Sequence, residues 1–143
     1  MKKGWIIAFV TVFVISIAGV AVFDGIFPKA KPISFPSAEN ITSFCVKEKN
    51  SASTAIPKAD WEHFLAEMRT VRPTRKRSVN DTPAVKNFYT IDISAAGQLY
   101  RYYVYRENSQ VYVEIPYEGV YRADGKFFRF VGEYFLAATE GER

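Results

Sequence analysis

Few residues in this chain can do chemistry, and their spacing decides which chemistries stay open. Among 143 residues there is one cysteine, Cys45, and one histidine, His63. A structural zinc usually takes four Cys or His ligands, so that class is lost together with any internal disulfide. His63 sits between Glu62 and Phe64 with no Ser or Cys beside it, and reads as a solvent-facing helix residue rather than a general base. Cys45 reads as a small buried hydrophobe. No Gly-x-Ser-x-Gly, His-Glu-x-x-His, Gly-Lys-Ser/Thr phosphate loop or dinucleotide fingerprint occurs. Acid–base work is left to carboxylates. Asp81, Asp92, Glu114 or Glu118 would have to meet in pairs about 5–10 Å apart across a cleft, as glycoside hydrolysis requires. Ordinary solvated carboxylates fit the same positions.

Two larger sets suit binding. Arg69, Arg72, Arg75, Lys76 and Arg77 place five positive charges within nine residues. Cations at a helix C-terminus complement its dipole, and a basic loop stays soluble. The same run fits an anionic surface, either lipid head groups or a phosphate-rich wall polymer, and such a contact would weaken with salt. Tyr100, Tyr102, Tyr103, Tyr105, Tyr112, Tyr117 and Tyr121 supply flat apolar area with a polar tip. Packing within a sheet is their plain role, and a carbohydrate, peptide or protein contact is the functional alternative.

The elements that position these residues begin with a membrane segment. Lys2 and Lys3 precede an uncharged run from Trp5 to Phe23. As a helix rising about 1.5 Å per residue the run would be roughly 28 Å long, close to the ~30 Å of a bilayer core. The paired lysines orient it with its N-terminus cytoplasmic and the bulk of the chain outside. A cleaved signal peptide is the alternative, with small residues at Gly19-Val20-Ala21, and it would make the domain secreted. No Cys ends the run, which excludes a lipoprotein anchor.

Residues 1–24 are thus the anchor or signal, 25–37 a stiff spacer carrying Pro28, Pro32 and Pro36, and 38–143 the extracytoplasmic domain. With 48% hydrophobic and 24% charged residues the composition excludes disorder and supports one packed core. Leaving out Lys2, Lys3 and Asp24, 17 basic residues face 14 acidic ones, too small an excess to imply a nucleic-acid partner.

Ile41 to Glu48 alternates as a first strand. Trp61, Phe64, Leu65, Met68 and Val71 make the apolar stripe of a helix over Lys58 to Thr70, opened by Pro57 and stopped by Pro73. Phe88 to Ile93, Leu99 to Arg106 and Val111 to Ile115, joined by short polar connections, read as an antiparallel meander. In its middle strand Tyr100, Tyr102 and Val104 oppose Leu99, Arg101, Tyr103 and Tyr105, so one face should pack on the helix and the tyrosine-rich other face be partly covered. Gly119 permits the reversal that returns Val120-Tyr121 along the sheet. Across the central strand Asp92 and Glu114 would stand roughly 10 Å apart. The tail fits a hairpin at Asp124-Gly125 or a short helix capped by Asp124, with Phe127, Phe130, Val131, Tyr134 and Ala138 as its stripe; the helix is favoured.

The fold expected is α+β: an antiparallel sheet of about four strands on one amphipathic helix, with a short C-terminal helix and one N-terminal transmembrane helix.

Two stretches carry a resemblance: Ser78-Val-Asn-Asp-Thr-Pro83 leading into Val85 to Ile93, and Val111-Tyr-Val-Glu-Ile-Pro-Tyr-Glu-Gly-Val-Tyr121. From about Ile41 to Tyr134 the chain resembles a family of small exported or membrane-anchored domains of Gram-positive bacteria, a domain of unknown function. The resemblance implies no activity. It implies a strand, a helix, the Ser-Val-Asn-Asp loop and a meander ending in Pro-Tyr-x-Gly. This chain departs from the pattern in having Ile115 where a polar residue is expected, and a plain apolar anchor instead of a lipobox. A capped turn accounts for Asn80 and Asp81, and the functional alternative makes Asn80, Asp81, Glu114, Tyr117 and Tyr121 the rim of a small groove.

The function expected is a membrane-tethered binding module at the cell envelope, non-enzymatic and without cofactor or metal, its partner an envelope protein or an anionic polymer. The alternatives are a small envelope hydrolase pairing Asp81 with Glu114 or Asp92, and an inhibitor or regulator of a secreted enzyme that uses the tyrosine face.

Overall fold

The computed structural model describes residues 2–141. Helix α1 (Lys2–Ile26) is long and apolar enough to cross a membrane or to serve as a signal sequence, and its spanning window has no buried residues. The remainder is an α+β domain built on an antiparallel sheet of seven strands: β1 (Ile41–Glu48), β2 (Thr54–Ala55), β3 (Arg72–Pro73), β4 (Phe88–Ala95), β5 (Gln98–Glu107), β6 (Gln110–Ile115) and β7 (Gly119–Ala123). Their order across the sheet is β2-β1-β4-β5-β6-β7-β3. The expectation of about four strands is corrected to seven. The return strand β7 is a full member, while β2 and β3 are two-residue edge strands too short to show any alternation. Pro73 is tolerated because β3 lies at an edge, where its missing N–H interrupts no ladder.

The meander turns are tighter than the sequence suggests. Ala96-Gly97 and Asn108-Ser109 form two-residue connections with positive φ at both positions. That backbone twist matches the twist of the flanking strands, so β4, β5 and β6 extend almost to the turn.

Helix α2 is shorter than the stripe implies. A 3-10 turn over Lys58–Asp60 precedes the helical residues Trp61–Met68. Trp61 Nε1 donates to Ile56 O at 2.9 Å, fixing this entry against the chain before it. Helix α3 (Gly125–Gly141) confirms the helical reading of the tail, and Asp124 Oδ1 accepts from Lys126 N at 2.9 Å as its cap. Phe127, Val131 and Phe135 are buried beneath it, and the side chain of Ala138 lies outside the described residues.

Both helices cover one sheet face. Phe44, Val46, Ile91, Ile93, Tyr102, Val104 and Val113 meet Phe64, Leu65, Met68 and Phe127 in one core. Phe64 is its centre, in ring contact with Phe44, Phe127, Phe130 and Tyr134. Ile41 also joins this core, against simple alternation, because the β1–β4 register shifts between Ile41 and Ser43.

The Pro-rich segment is packed onto the domain as more than a spacer. Ala30 N–H donates to Thr74 O at 2.9 Å, Tyr121 Oη donates to Lys31 O at 2.7 Å, and the Phe35 ring lies 5.6 Å from that of Tyr102.

Candidate functional site

Among the described residues no helix packs on the second sheet face. Phe88, Tyr103, Tyr105, Tyr112 and Val120 form a separate cluster there, with Val85 of the preceding loop packed against it. The tyrosine-rich face is therefore covered more fully than expected: Tyr103 and Tyr105 are each 5% exposed and Tyr112 8%. Tyr102 and Tyr121 point into the helix-covered core, and Tyr117 is the strongly exposed member of the set.

What holds the loop against this face is a chain of polar contacts. Glu114 is a buried carboxylate, opposite Tyr103 on β5 and so on the same face. Ser78 Oγ donates to Glu114 Oε1 at 2.7 Å and accepts from Tyr117 N–H at 3.2 Å. Tyr117 Oη in turn donates to Asp81 Oδ1 at 2.7 Å. That bond favours the protonated phenol and holds the Tyr117 pKa above its ordinary value. Tyr105 is also raised, first by burial and then by the adjacent Glu114 charge. The loop and the β6–β7 turn are two halves of one clasp.

Local geometry explains why the turn takes this form. Glu118 N–H donates to Ile115 O at 3.1 Å, placing Pro116 and Tyr117 at the centre of a tight turn. Pro116 presets its own φ, and Tyr117 adopts a φ of 63°. A tyrosine in the left-handed region is disfavoured, and the contacts from Ser78 and Asp81 offset that cost. The positive φ of this reversal thus falls on Tyr117, whereas Gly119 serves a different need. A Cβ at Gly119 would lie 2.5 Å from Ala30 Cβ, so this glycine makes room for the segment that follows α1.

Of the residues expected at a groove rim, Asp81, Glu114 and Tyr117 are linked by this clasp. Asn80 and Glu114 line a neighbouring cavity of about 270 Å³ together with Lys76, Arg77 and Tyr105. Tyr121 is not with them. It lies in the helix-side core, 2% exposed, because adjacent strand residues face opposite ways. Ser78, the residue joining the other three, was missed by sequence reasoning; its signal is its place at the head of the Ser-Val-Asn-Asp loop.

Asp92 does not converge with Glu114. Asp92 is opposite Arg101 on β5, and Arg101 Nε and Nη2 donate to its two oxygens at 2.7 and 2.8 Å. From the register, Asp92 and Glu114 stand two strands and two residues apart, roughly 12 Å between Cα atoms. Glu114 and Asp81 are engaged by Ser78 and Tyr117.

The basic run is exposed throughout but unevenly engaged. Arg75 pairs with Asp24 of α1 and lies over the Phe23 ring. Lys76 pairs with Glu107 and sits 4.2 Å from the Tyr112 ring centroid; the Glu107 bond is the main cause of its raised pKa. Arg69, Arg72 and Arg77 make no ion pair among the described residues.

These features define a class: an α+β domain with helices on one sheet face, a hydrogen-bonded loop clasp on the other, and an apolar N-terminal helix. A family model for a domain of unknown function, DUF5301, matches residues 29–122, and the chain belongs to that family. The matched span begins next to Ala30, where packing against the sheet begins, and contains both halves of the clasp. The chain is also similar to a protein from Ruminococcus gnavus solved by NMR, at 32% identity and a TM-score of 0.55, over 63% of this chain and 89% of that one. None of the curated proteins compared with the chain matches it.

Proposed function

We propose that this protein is a membrane-tethered, extracytoplasmic binding module of the cell envelope, acting without a catalytic step, whose basic run rests on anionic head groups. The observation that carries the reading is the join between helix and domain. Ala30 N–H bonds to Thr74 O, and Arg75 pairs with Asp24 in the last turn of α1. This fixes the Arg72–Arg77 stretch where the apolar helix ends, which is the level of the head groups if α1 spans a bilayer. Each basic residue near such a surface contributes about 1 kcal/mol of attraction, and salt removes it.

Trypsin digestion of the full chain in proteoliposomes tests this, since the run is itself a set of cleavage sites. With phosphatidylglycerol in the bilayer, cleavage between Arg69 and Arg77 should be slow at low salt and recover at high salt. Equal rates in neutral and anionic vesicles would sink the reading. The paired-carboxylate hydrolase is not supported, because Asp92 is tied up by Arg101 while Asp81 and Glu114 are each engaged, by Tyr117 and Ser78, and a regulator docking through the tyrosine face is not supported by the burial of that face.

A further inference from the structure

The clasp-bearing face also holds a cavity at its other end, far from the anchor. Lys47, Thr90 and Tyr103 stand directly opposite one another on β1, β4 and β5, so they share one face in a single row. Over this row lies an open cavity of about 330 Å³, lined also by Lys49 and Asn50 after β1 and by Thr82 of the loop. Phe88 forms an aromatic wall, with Lys49 Nζ 5.1 Å from its centroid. None of the lining residues is acidic. Arg101 also lines it, with its charge already met by Asp92.

Two details mark this as more than a gap under a loop. Thr90 is 3% exposed, and its hydroxyl has no hydrogen-bond partner among the described residues. Among the described residues no buried side-chain polar atom is both unpartnered and sealed from solvent, so this hydroxyl opens into the cavity it lines. Lys47 is half-buried beside it and makes no ion pair among the described residues. A lysine buries its stem and keeps its ammonium where an anion can reach it, and a hydroxyl held in a protein interior ordinarily bonds to something.

We propose that this cavity binds a phosphate-ester anion, with Lys47 and Lys49 supplying charge, the Thr90 hydroxyl a directed hydrogen bond, and Phe88 a wall for the attached organic group. Lys49 Nζ donates only to Val85 O, at 3.5 Å, and neither lysine is ion-paired among the described residues, so two uncompensated positive charges match a phosphate monoester. The volume leaves space for a substituent of a few heavy atoms. The site is distinct from the basic run. From β4, in the middle of the row, to β7, where the anchor-proximal segment docks, three strand spacings amount to roughly 14 Å. That distance favours a soluble ester or a polymer phosphate over the lipid beneath the anchor.

The test uses the full chain in zwitterionic micelles, titrated with inorganic phosphate and with glycerol 3-phosphate at constant ionic strength, followed by amide shifts. Saturable shifts are expected at Lys47, Thr90 and Tyr103, with a Kd on the order of 1 mM or below. Lys47→Gln should weaken binding about tenfold, as loss of one charged hydrogen bond implies, and Thr90→Val less. Arg72→Gln should leave it unchanged. If Thr90→Val disturbs shifts across the sheet, Lys47→Gln alone decides. Non-saturating shifts, shifts confined to Arg69–Arg77, or unchanged affinity in Lys47→Gln would overturn the proposal. Phosphatidylglycerol mixed into the micelles forms the second arm. Shifts at the same three amides would keep the site but assign its source to lipid, and none there would assign it to the soluble ester.

Discussion

The two faces of the sheet are closed by different physics. Under α2 and α3 the contacts are almost wholly apolar, centred on Phe64 and its four ring neighbours. Dispersion and burial need no directed bonds, so this side can be sealed. The other side is covered by a loop, and a loop must satisfy its own backbone and polar side chains. It does so through Ser78, Asp81, Glu114 and Tyr117, and the cover leaves polar cavities at both ends. Stability is concentrated on the helix side, and specific chemistry has room on the loop side.

The sharpest way to break this contrast is Phe64→Ala. The residue is fully buried, and such truncations cost about 3–5 kcal/mol, against a total of roughly 5–15 for a domain. Urea unfolding should show a large loss of midpoint, and a change under 1 kcal/mol would refute the assignment of Phe64 as the core's centre. Ser78→Ala should be milder, about 1–3 kcal/mol, because it strips a donor from buried Glu114 and an acceptor from the Tyr117 N–H. Hydrogen exchange should quicken at residues 78–81 and 116–119 while α2 and α3 keep their protection. Faster exchange in the helices would mean the faces are not separable.

Alkaline pH tests both faces together. Burial raises the pKa of Tyr102 on the helix side and of Tyr105 on the loop side. In the unfolded chain both would ionise near 10, so above that pH the folded state holds more protons. Stability should be full below about pH 10 and fall as pH rises toward the folded values, by up to about 1.4 kcal/mol per pH unit for each fully retained proton. Urea midpoints at pH 8 and 11 check the sign; a rise at pH 11 would contradict it. Tyr102→Phe and Tyr105→Phe, which leave the rings in place, apportion the loss between the faces.

Much of the helix side was legible in the sequence. The α2 stripe, the Asp124 cap and the two faces of β5 follow from short-range periodicity, and each is found in the structure. The polar side was legible in part. Asp81, Glu114 and Tyr117 stand out by type and by family pattern, but the bond joining Tyr117 to Asp81 spans 36 positions and no local rule announces it. Tyr121 departs from the expected rim because strand parity turns it away from its neighbour Val120 and into the helix-side core. Edge strands β2 and β3 were invisible, since two residues carry no period. The row of Lys47, Thr90 and Tyr103 needed the register of three strands, which alternation alone does not supply.

The packing of Ala30 against the sheet has a further consequence for reach. Between Ile26, the last residue of α1, and Ala30 lie three residues, a leash of at most about 14 Å when fully extended. With α1 in a bilayer, the domain would explore a thin layer along the surface and not a volume above it. Encounters would then be governed by lateral diffusion, and a protease seeking to shed the domain would find three residues of slack in which to cut.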